Sequence, residues 1–354
     1  MRVTRTLTSD GALRLVLDRA LVTLAERWVP EEPGGATSHR ATGALIDVRC
    51  STRPAPRCPT AATFSLGSVR AWVDEPRGVV RLGGALASSG GAVSLATRRA
   101  QLRVDAASGD RAATDLYSML TIAAALLVAG LGRALVHAAA VLAPDGAAWL
   151  LVGDARAGKS TTCANLARGG GGGGGGGGWG FLSDDQVVLA ATEQGIVVEG
   201  WLRSFHLDEG WERGEVSGRR RTIHPGALGL GGRQRAASLA GIVLPVVEPA
   251  QPTTLAPSSA GQALAALVRQ SPWLLAHRTI AEPGIALLSR AAQRPAFSLT
   301  LGLDTYRDPV RLRALFTAAG CGPPLPVVRA TARARPPGQP AVAPPEPARL
   351  ATAP

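Results

Sequence analysis

The stretch GDARAGKST, from Gly153 to Thr161, holds the one lysine of a chain whose other 37 basic residues are all arginine. It matches the pattern G-x-x-x-x-G-K-[ST] at Gly153, Gly158, Lys159 and Ser160. The backbone N–H groups of such a loop, with the positive end of the following helix dipole, form an anion-binding nest. A lysine reaches phosphate oxygens as a compact, mobile charge, which a planar guanidinium does not replace well. The stretch therefore predicts a phosphate-binding loop.

The sequence on either side of the loop supports this interpretation. An apolar segment, AAWLLV, precedes the loop, and the helix-forming segment TCANLAR follows it. In this setting Ser160 is expected to supply a hydroxyl ligand to Mg²⁺, and Arg156 adds a second positive charge near the phosphates. The other loop residues expected to bind the nucleotide are Asp154, Ala155, Ala157 and Thr161.

Two adjacent carboxylates follow downstream, Asp184 and Asp185, in the segment Phe181–Ala190, which we predict to be one strand. A carboxylate in this part of a nucleotide site commonly holds magnesium. Because neighbouring residues of a strand point to opposite faces, one carboxylate is expected to face the metal and the other an acceptor hydroxyl. His137 lies in an earlier apolar strand; it is either a satisfied core histidine or a contact of the second carboxylate.

The composition indicates a globular protein. The 354 residues are 46% hydrophobic and 18% charged, and this length suits two domains of about 150 residues each. The net charge of +12 is not gathered on one helix face or interleaved with aromatic residues, so no nucleic-acid partner is expected.

The cysteines and the N-terminus predict a cytoplasmic protein. The four cysteines, Cys50, Cys58, Cys163 and Cys321, match no common zinc spacing. The opening residues, MRVTRTLTSDGALR, do not resemble a signal peptide. Reduced thiols in the cytoplasm are therefore expected.

One charge-free run resembles a membrane span. Leu116–Leu131 has 16 residues without a charge, fewer than the roughly 18 that a span needs. It also includes polar side chains, so we predict a buried helix over residues 113–131 and no membrane partner.

The remaining organisation is β-rich before this helix and mixed after it. Short apolar runs broken by turn residues over Ala44–Val104 predict a β-rich module, whereas residues 11–29 suit either a helix or two strands. Gly169–Gly178 is interpreted as a surface loop formed by a repeat. Further strands and a helix are predicted at Leu135–Leu142, Ala147–Val152, GIVVEG, LAGIVLPVVE, Gly261–Val268 (helix) and Phe297–Leu301.

Three segments in order, LVHAAAV, LLVGDARAGKST and FLSDDQVVL, resemble the HPr kinase/phosphorylase superfamily. They most resemble its HprK-like serine kinases of lasso-peptide and related biosynthetic clusters. The resemblance implies an α/β P-loop kinase domain with a mixed sheet, related to phosphoenolpyruvate carboxykinase, over residues 111–321. We expect a smaller β-rich module (1–110) before it and a disordered Pro/Arg-rich tail (322–354) after it.

The resemblance also implies an activity, which is transfer of the γ-phosphoryl group of ATP, with Mg²⁺, to a serine of a protein or precursor peptide. Residue by residue, it implies that Lys159 and Ser160 bind phosphate and metal. Asp184 resembles the general base, with His137 beside it, and Asp185 the metal ligand; strand register decides whether the two aspartates exchange roles. A basic residue among 219–221 contacts phosphate or peptide.

The sequence also departs from this family. The Glu-Ile-Arg-Gly type segment of the bifunctional HPr enzymes is absent, and the chain reads VVEGWLRSFHL instead, which puts HPr as substrate in doubt. Two alternatives stay open: a nucleotide-dependent regulator that binds a peptide without phosphoryl transfer, and a small-molecule kinase or carboxykinase on the same scaffold. A homo-oligomer is compatible with the sequence.

Overall fold

The computed structural model describes residues 1–26, 43–55, 61–168, 178–201, 204–211, 218–228, 230 and 234–319. These residues form a mixed α/β fold with two large sheets and a two-stranded ribbon. The tail predicted at 322–354, Cys58, Cys321 and residues 169–177 of the glycine run lie outside the described residues.

The first sheet has eight strands in the order β1-β2-β3-β8-β7-β6-β5-β4. They are β1 (Arg2–Thr6), β2 (Leu13–Asp18), β3 (Ala44–Cys50), β4 (Phe64–Leu66), β5 (Val69–Asp74), β6 (Val79–Gly83), β7 (Gly90–Ser94) and β8 (Arg99–Val104). The pairs β2–β3 and β3–β8 are parallel, and the others are antiparallel. The β-rich character predicted for residues 44–104 is thus present, and residues 11–29 contain β2 followed by a short helix, α1 (Val22–Glu26).

The second sheet has nine strands. Seven follow the order β12-β10-β11-β17-β14-β13-β9, and β19 pairs with both β17 and β18. They are β9 (Arg133–Val136), β10 (Ala138–Leu142), β11 (Ala148–Val152), β12 (Gly180–Ser183), β13 (Val187–Thr192), β14 (Gly195–Gly200), β17 (Ala236–Val247), β18 (Thr254–Ser258) and β19 (Ala296–Leu301). The ribbon between β14 and β17 in the chain consists of β15 (Phe205–Asp208) and β16 (Arg220–Ile223).

Helices cover both faces of the second sheet. They are α2 (Gly109–Ala129), α3 (Lys159–Ala167), α4 (Ala260–Arg269), α5 (Arg278–Ala292), α6 (Asp304–Arg307) and α7 (Pro309–Ala319). In β10, Ala138 and Ala140 belong to the core shared with α2, α4 and α5, whereas Ala139 and Val141 belong to the core that contains α3 and α7. The continuous apolar sequence of this strand follows, because a strand buried on both faces has no polar side.

Helix α2 lies against strands of both sheets. The segment Ala106–Ala129 is long and apolar enough to cross a membrane by length and composition, and 89% of its apolar window is buried inside the protein. The buried helix predicted for residues 113–131 is confirmed, with bounds two to four residues earlier.

A buried carboxylate joins α2 to the loops of the first sheet. Asp115 is 0% exposed and accepts hydrogen bonds from the Ser68 hydroxyl (2.6 Å) and from the Ala85 and Leu86 N–H groups (3.0 Å each). Gly84 allows this close approach, because a Cβ at that position would collide with the Asp115 carboxylate. Three donors thus satisfy an anion that burial would otherwise make costly.

Two predicted strands are interrupted in the structure. Leu135–Leu142 is divided at His137 into β9, which pairs with β13, and β10, which pairs with β11 and β12. Phe181–Ala190 is divided at 184–186 into β12 and β13, so the prediction of one continuous strand was wrong in both places. In each place the two halves pair with different neighbouring strands. The residues between the halves therefore lie outside the strand pairing, and the strand is interrupted there.

Removing the Asp115 carboxylate should destabilise the fold. In Asp115→Ala two backbone N–H groups and a hydroxyl lose their acceptor, and we expect the free energy of unfolding to fall by about 1–3 kcal/mol. Thr114→Ala, on the exposed side of the same helix, is the control and should change it by less than about 0.5 kcal/mol. Urea unfolding measures both, and equal midpoints for the two variants would contradict the assigned role of Asp115.

Candidate functional site

The predicted phosphate loop lies between β11 and α3, and α3 begins at Lys159. Gly158 caps this helix with φ +92°, in the left-handed region that favours glycine. A Cβ at Gly158 would lie 2.6 Å from Leu301 Cδ1 and 3.1 Å from Val247 Cγ2. The second glycine of the motif is therefore required by both the backbone conformation and the packing.

Lys159 is folded back onto its own loop. Its side chain is buried, and Nζ donates to the Gly153 carbonyl (2.7 Å) and the Asp154 carbonyl (3.0 Å). Burial lowers the pKa of the ammonium below 10.5, and the nearby carboxylates of Asp185 and Asp184 oppose that shift. The site thus holds a positive charge that carbonyl dipoles and nearby carboxylates stabilise, and phosphate oxygens are able to replace the carbonyls.

A cavity of about 660 Å³ lies in front of the loop. The cavity is lined by Tyr117, His137, Ala155, Arg156, Gly158, Lys159, Ser160, Thr161, Asp184, Asp185, His206, Asp208, Gly218, Arg220 and Val247. The lining brings together most of the predicted site, including the lysine, the seryl hydroxyl, the histidine and both carboxylates. Gly153, Asp154 and Ala157, which were predicted to bind the nucleotide, are not in the lining.

The paired carboxylates lie in the turn between β12 and β13, not within a strand. Asp185 has φ +69°, and the Gln186 N–H bonds to the Asp184 carbonyl at 2.9 Å. The expectation that strand alternation would point the two carboxylates to opposite faces was therefore wrong. What distinguishes them is depth: Asp184 is 1% exposed, whereas the Asp185 side chain is 24% exposed.

Two side chains hold the Asp185 carboxylate. His137 Nε2 lies 2.9 Å from Oδ1, and the Tyr117 hydroxyl donates to Oδ2 at 2.5 Å. His137 occupies the break between β9 and β10, where its backbone N–H donates to the backbone carbonyl of Gln270 at 2.9 Å. The structure thus contains the contact between His137 and the second carboxylate, and it places the histidine beside Asp185, not beside Asp184 as the resemblance implied.

Gln270 connects the phosphate loop to His137. Its side-chain amide donates to Asp154 Oδ1 at 2.8 Å, while its backbone carbonyl accepts from the His137 N–H. Asp154, which does not line the cavity, thus has its carboxylate bound by Gln270. Sequence analysis missed Gln270, because its position at the C-terminal end of α4 belongs to no motif.

The ribbon formed by β15 and β16 forms another wall of the cavity. Asp208 accepts from the N–H groups of Gly210 (3.0 Å) and Gly218 (2.9 Å), so it links the end of β15 to the segment just before β16. Arg220, one of the three basic residues at 219–221, lines the cavity. Its positive charge lowers the pKa of the Lys159 ammonium. The cavity is thus lined by three cations, Arg156, Lys159 and Arg220, and by three aspartates. This charge distribution suits an anionic ligand that brings a cation of its own.

The donor set suits a magnesium ion bound together with phosphate. Within the part of the chain that the structure describes, no group of three or more His, Cys, Asp and Glu side chains is arranged to hold a metal ion. Mg²⁺ usually takes one or two carboxylates and completes its shell with water and substrate phosphates. The Ser160 hydroxyl and the carboxylates of Asp184 and Asp185 in one cavity fit that requirement.

Tyr117 is the main site residue that sequence analysis missed. It lies in the charge-free run of α2, where its polar group counted only against a membrane span. The available signal was composition, since it is one of two tyrosines in the chain and stands among apolar residues. A hydroxyl in a largely buried helix needs a partner, and here the partner is the Asp185 carboxylate.

Comparisons with known proteins do not assign the chain to a family. No protein-family model matches the chain, and no curated protein matches its sequence. Among solved structures, the HPr(Ser) kinase/phosphatase from Coxiella burnetii is similar, with 12% sequence identity and a TM-score of 0.29. The match covers 52% of this chain and 94% of that chain. This similarity is weak and assigns no residue role to the present chain.

A side chain at Gly158 should disrupt the loop. In Gly158→Ala the Cβ meets Leu301 and Val247 and the left-handed backbone costs about 1–2 kcal/mol, so we expect the affinity for ATP to fall by roughly 10-fold or more. Gly146→Ala is the matched control, because Gly146 has φ +84° and its Cβ would meet nothing within 4 Å. Isothermal titration of both variants decides; equal affinities would refute the role of Gly158.

We expect the affinity for a nucleotide to depend on pH through Lys159. Bound phosphate stabilises the protonated ammonium and raises its pKa. The contribution of Lys159 to binding is therefore complete below the lowered pKa of the free protein, and it is lost as pH rises through the higher pKa of the bound state. Lys159→Arg stays charged at high pH but fits the loop poorly, so we expect affinity roughly 10-fold weaker at neutral pH and little further loss at alkaline pH. Nucleotide titration from neutral to alkaline pH tests the wild-type protein and Lys159→Arg. If the affinities of the two proteins fall in parallel as pH rises, Lys159 is not the source of the pH dependence.

Proposed function

We propose that the protein is an ATP- and Mg²⁺-dependent kinase that transfers the γ-phosphoryl group to a serine hydroxyl of a protein or peptide. One observation carries the proposal: a single cavity contains a phosphate-loop lysine and seryl hydroxyl together with a carboxylate pair, one member of which is held by a histidine. Phosphoryl transfer needs these parts, since its catalysis rests on positioning and charge neutralisation.

The loop supports binding of the triphosphate end of ATP. The N-terminal turn of α3 leaves backbone N–H groups without helical partners, and these groups, with Lys159 and the Arg156 charge, suit the phosphate oxygens. Arg156 itself has φ +68°, a conformation that a loop wrapped around a ligand commonly requires. A bound Mg²⁺ would neutralise charge on the β- and γ-phosphates next to Ser160 and a carboxylate.

The depths of the two carboxylates favour a division of roles. Asp184 is almost fully buried, beside the phosphate loop, and we assign it to the metal. Asp185 is more exposed and is reachable by an acceptor hydroxyl that enters from solvent, so we assign it as the general base, with His137 beside it. The proton of the acceptor hydroxyl then passes to Asp185 as the hydroxyl oxygen bonds to the γ-phosphorus and the bond to the β-phosphate oxygen breaks. This assignment exchanges the roles that the family resemblance implied.

A protein or peptide is the acceptor class that we propose. The cavity is bounded by the ribbon, which presents His206 and Arg220 next to the phosphate loop, and it is large enough for an acceptor side chain beside a triphosphate. Serine as the acceptor, a precursor peptide as its source and a cytoplasmic location rest on the sequence resemblance and are parts of the proposal. Nucleic acid and membrane are not proposed partners.

The two aspartates should fail differently when changed to asparagine. Asp184→Asn should weaken binding of Mg²⁺·ATP, because a charged ligand to a hard cation is lost. Asp185→Asn should bind Mg²⁺·ATP normally but transfer phosphate roughly 10²- to 10⁴-fold more slowly. His137→Ala should give a milder loss of transfer. Nucleotide titration beside a transfer assay with labelled ATP separates the effects.

The decisive experiment is incubation of the whole chain with labelled ATP and a library of serine-containing peptides, followed by mass spectrometry of the products. A phosphoserine that is absent with Lys159→Ala supports the proposal. Tight Mg²⁺·ATP binding with no transfer to any protein, peptide or small hydroxyl acceptor would reject the kinase and leave a nucleotide-dependent regulator. Phosphorylation of a small molecule alone would reject the peptide substrate and keep the reaction.

A further inference from the structure

Helix α2 contacts the turn that carries the site carboxylates through two side chains, one helical turn apart. Tyr117 donates to Asp185 Oδ2 at 2.5 Å, and Thr121 Oγ1 accepts from the Gln186 side-chain amide at 2.8 Å. Residues four apart lie on the same face of a helix. One face of α2 therefore holds the 184–186 turn at two consecutive residues.

Other residues of the same helical segment are held by the first sheet. Asp115 accepts hydrogen bonds from loops of that sheet, as described above, and Gly67 approaches so closely that its Cβ would lie 3.0 Å from Ser118 Oγ. Residues 115 and 117 project about 200° apart around the helix axis, since an α-helix has 3.6 residues per turn. The first sheet and the 184–186 turn thus contact different sides of one short stretch of α2.

The turn itself requires support from outside. Asp185 is one of three non-glycine residues with positive φ in the described part of the chain, and a residue in this region persists when its surroundings determine it. Side chains that act on Asp185 include Tyr117 of α2, His137 in the break between β9 and β10, and Lys159 of α3. Of these, the one on α2 is outside the phosphate loop and outside the second sheet.

We propose that Tyr117 is a positioning residue for Asp185, and that the eight-stranded sheet, through its hold on Asp115, keeps α2 in the place where Tyr117 can act. The N-terminal part of the chain then has a function in the proposed reaction: it fixes the orientation of the base, although it does not line the cavity with a residue of its own strands. The catalytic test of this inference rests on the proposed kinase function. Its structural test, hydrogen exchange in the 184–186 turn, does not.

The catalytic test is Tyr117→Phe, which keeps the ring and removes the hydroxyl. We expect kcat to fall roughly 10- to 100-fold, the effect of a misplaced reacting group, while the KM for ATP changes by less than about 3-fold because the phosphate loop is untouched. In an Asp185→Asn background the same substitution should change kcat by less than about 2-fold, because the group that it positions is gone. Thr114→Ala is the control on the exposed side of α2.

The structural test is hydrogen exchange of the backbone over Ser183–Val187, measured by mass spectrometry on the same variants. Tyr117→Phe should exchange faster there than the wild-type protein. Asp115→Asn should have the same two effects as Tyr117→Phe, namely faster exchange over these residues and a lower kcat. If this variant does not fold, Ser68→Ala, which removes one of the three donors to Asp115, should show both effects at a smaller size.

The outcomes separate the inference from the proposed function. Normal kcat and unchanged exchange in Tyr117→Phe overturn the positioning role, even if the kinase is active. Equal losses of kcat in the wild-type and Asp185→Asn backgrounds also overturn it, because they show an effect unrelated to that carboxylate. If the wild-type chain transfers no phosphate, the kinase proposal fails, and the exchange of Ser183–Val187 still decides whether Tyr117 holds the turn. Unchanged exchange in a folded Asp115 or Ser68 variant overturns the contribution of the first sheet.

Discussion

Burial of α2 between the two large sheets is the constraint on which the rest of the structure depends. The buried faces of this helix have no contact with water, so a polar side chain on those faces must find a partner inside the protein. Asp115, Tyr117 and Thr121 each do so, and each partner is a loop or turn of another element. The few polar groups of an apolar helix thereby fix the loops of the first sheet on one side and the carboxylate turn on the other.

The site combines charges that would be costly if they were separate. The Lys159 ammonium is taken out of water by burial, and the carboxylates of Asp185 and Asp184 offset part of that cost. The loop carbonyls of Gly153 and Asp154 satisfy its protons. In the proposed function, a triphosphate with its metal takes over both tasks, because the anion brings a cation of its own.

Sequence alone established the parts of the fold and site whose signal is local. The loop Gly153–Thr161 is recognisable because its glycines, its lysine and the adjoining strand and helix are consecutive in the chain. Turn residues between short apolar runs were enough to identify the β-rich region 44–104, and the charge-free run was enough for the α2 helix. Helix α5 had no such signal, since Pro283 and Gly284 lie inside it and tertiary packing overrides their low helix propensity.

Tertiary structure alone decided how the site residues meet. His137 and the 184–186 turn look like strand interiors in the sequence, but each lies where the chain leaves one partner strand for another, and local periodicity carries no information about which strands pair. The contact of Tyr117 with Asp185 joins residues 68 positions apart, through a helix placed by two sheets. The chain's own pattern thus determined the phosphate loop and its lysine, because neighbours in sequence build them; the depth, orientation and partners of the carboxylates were decided by long-range packing, because they depend on which elements happen to share a buried surface.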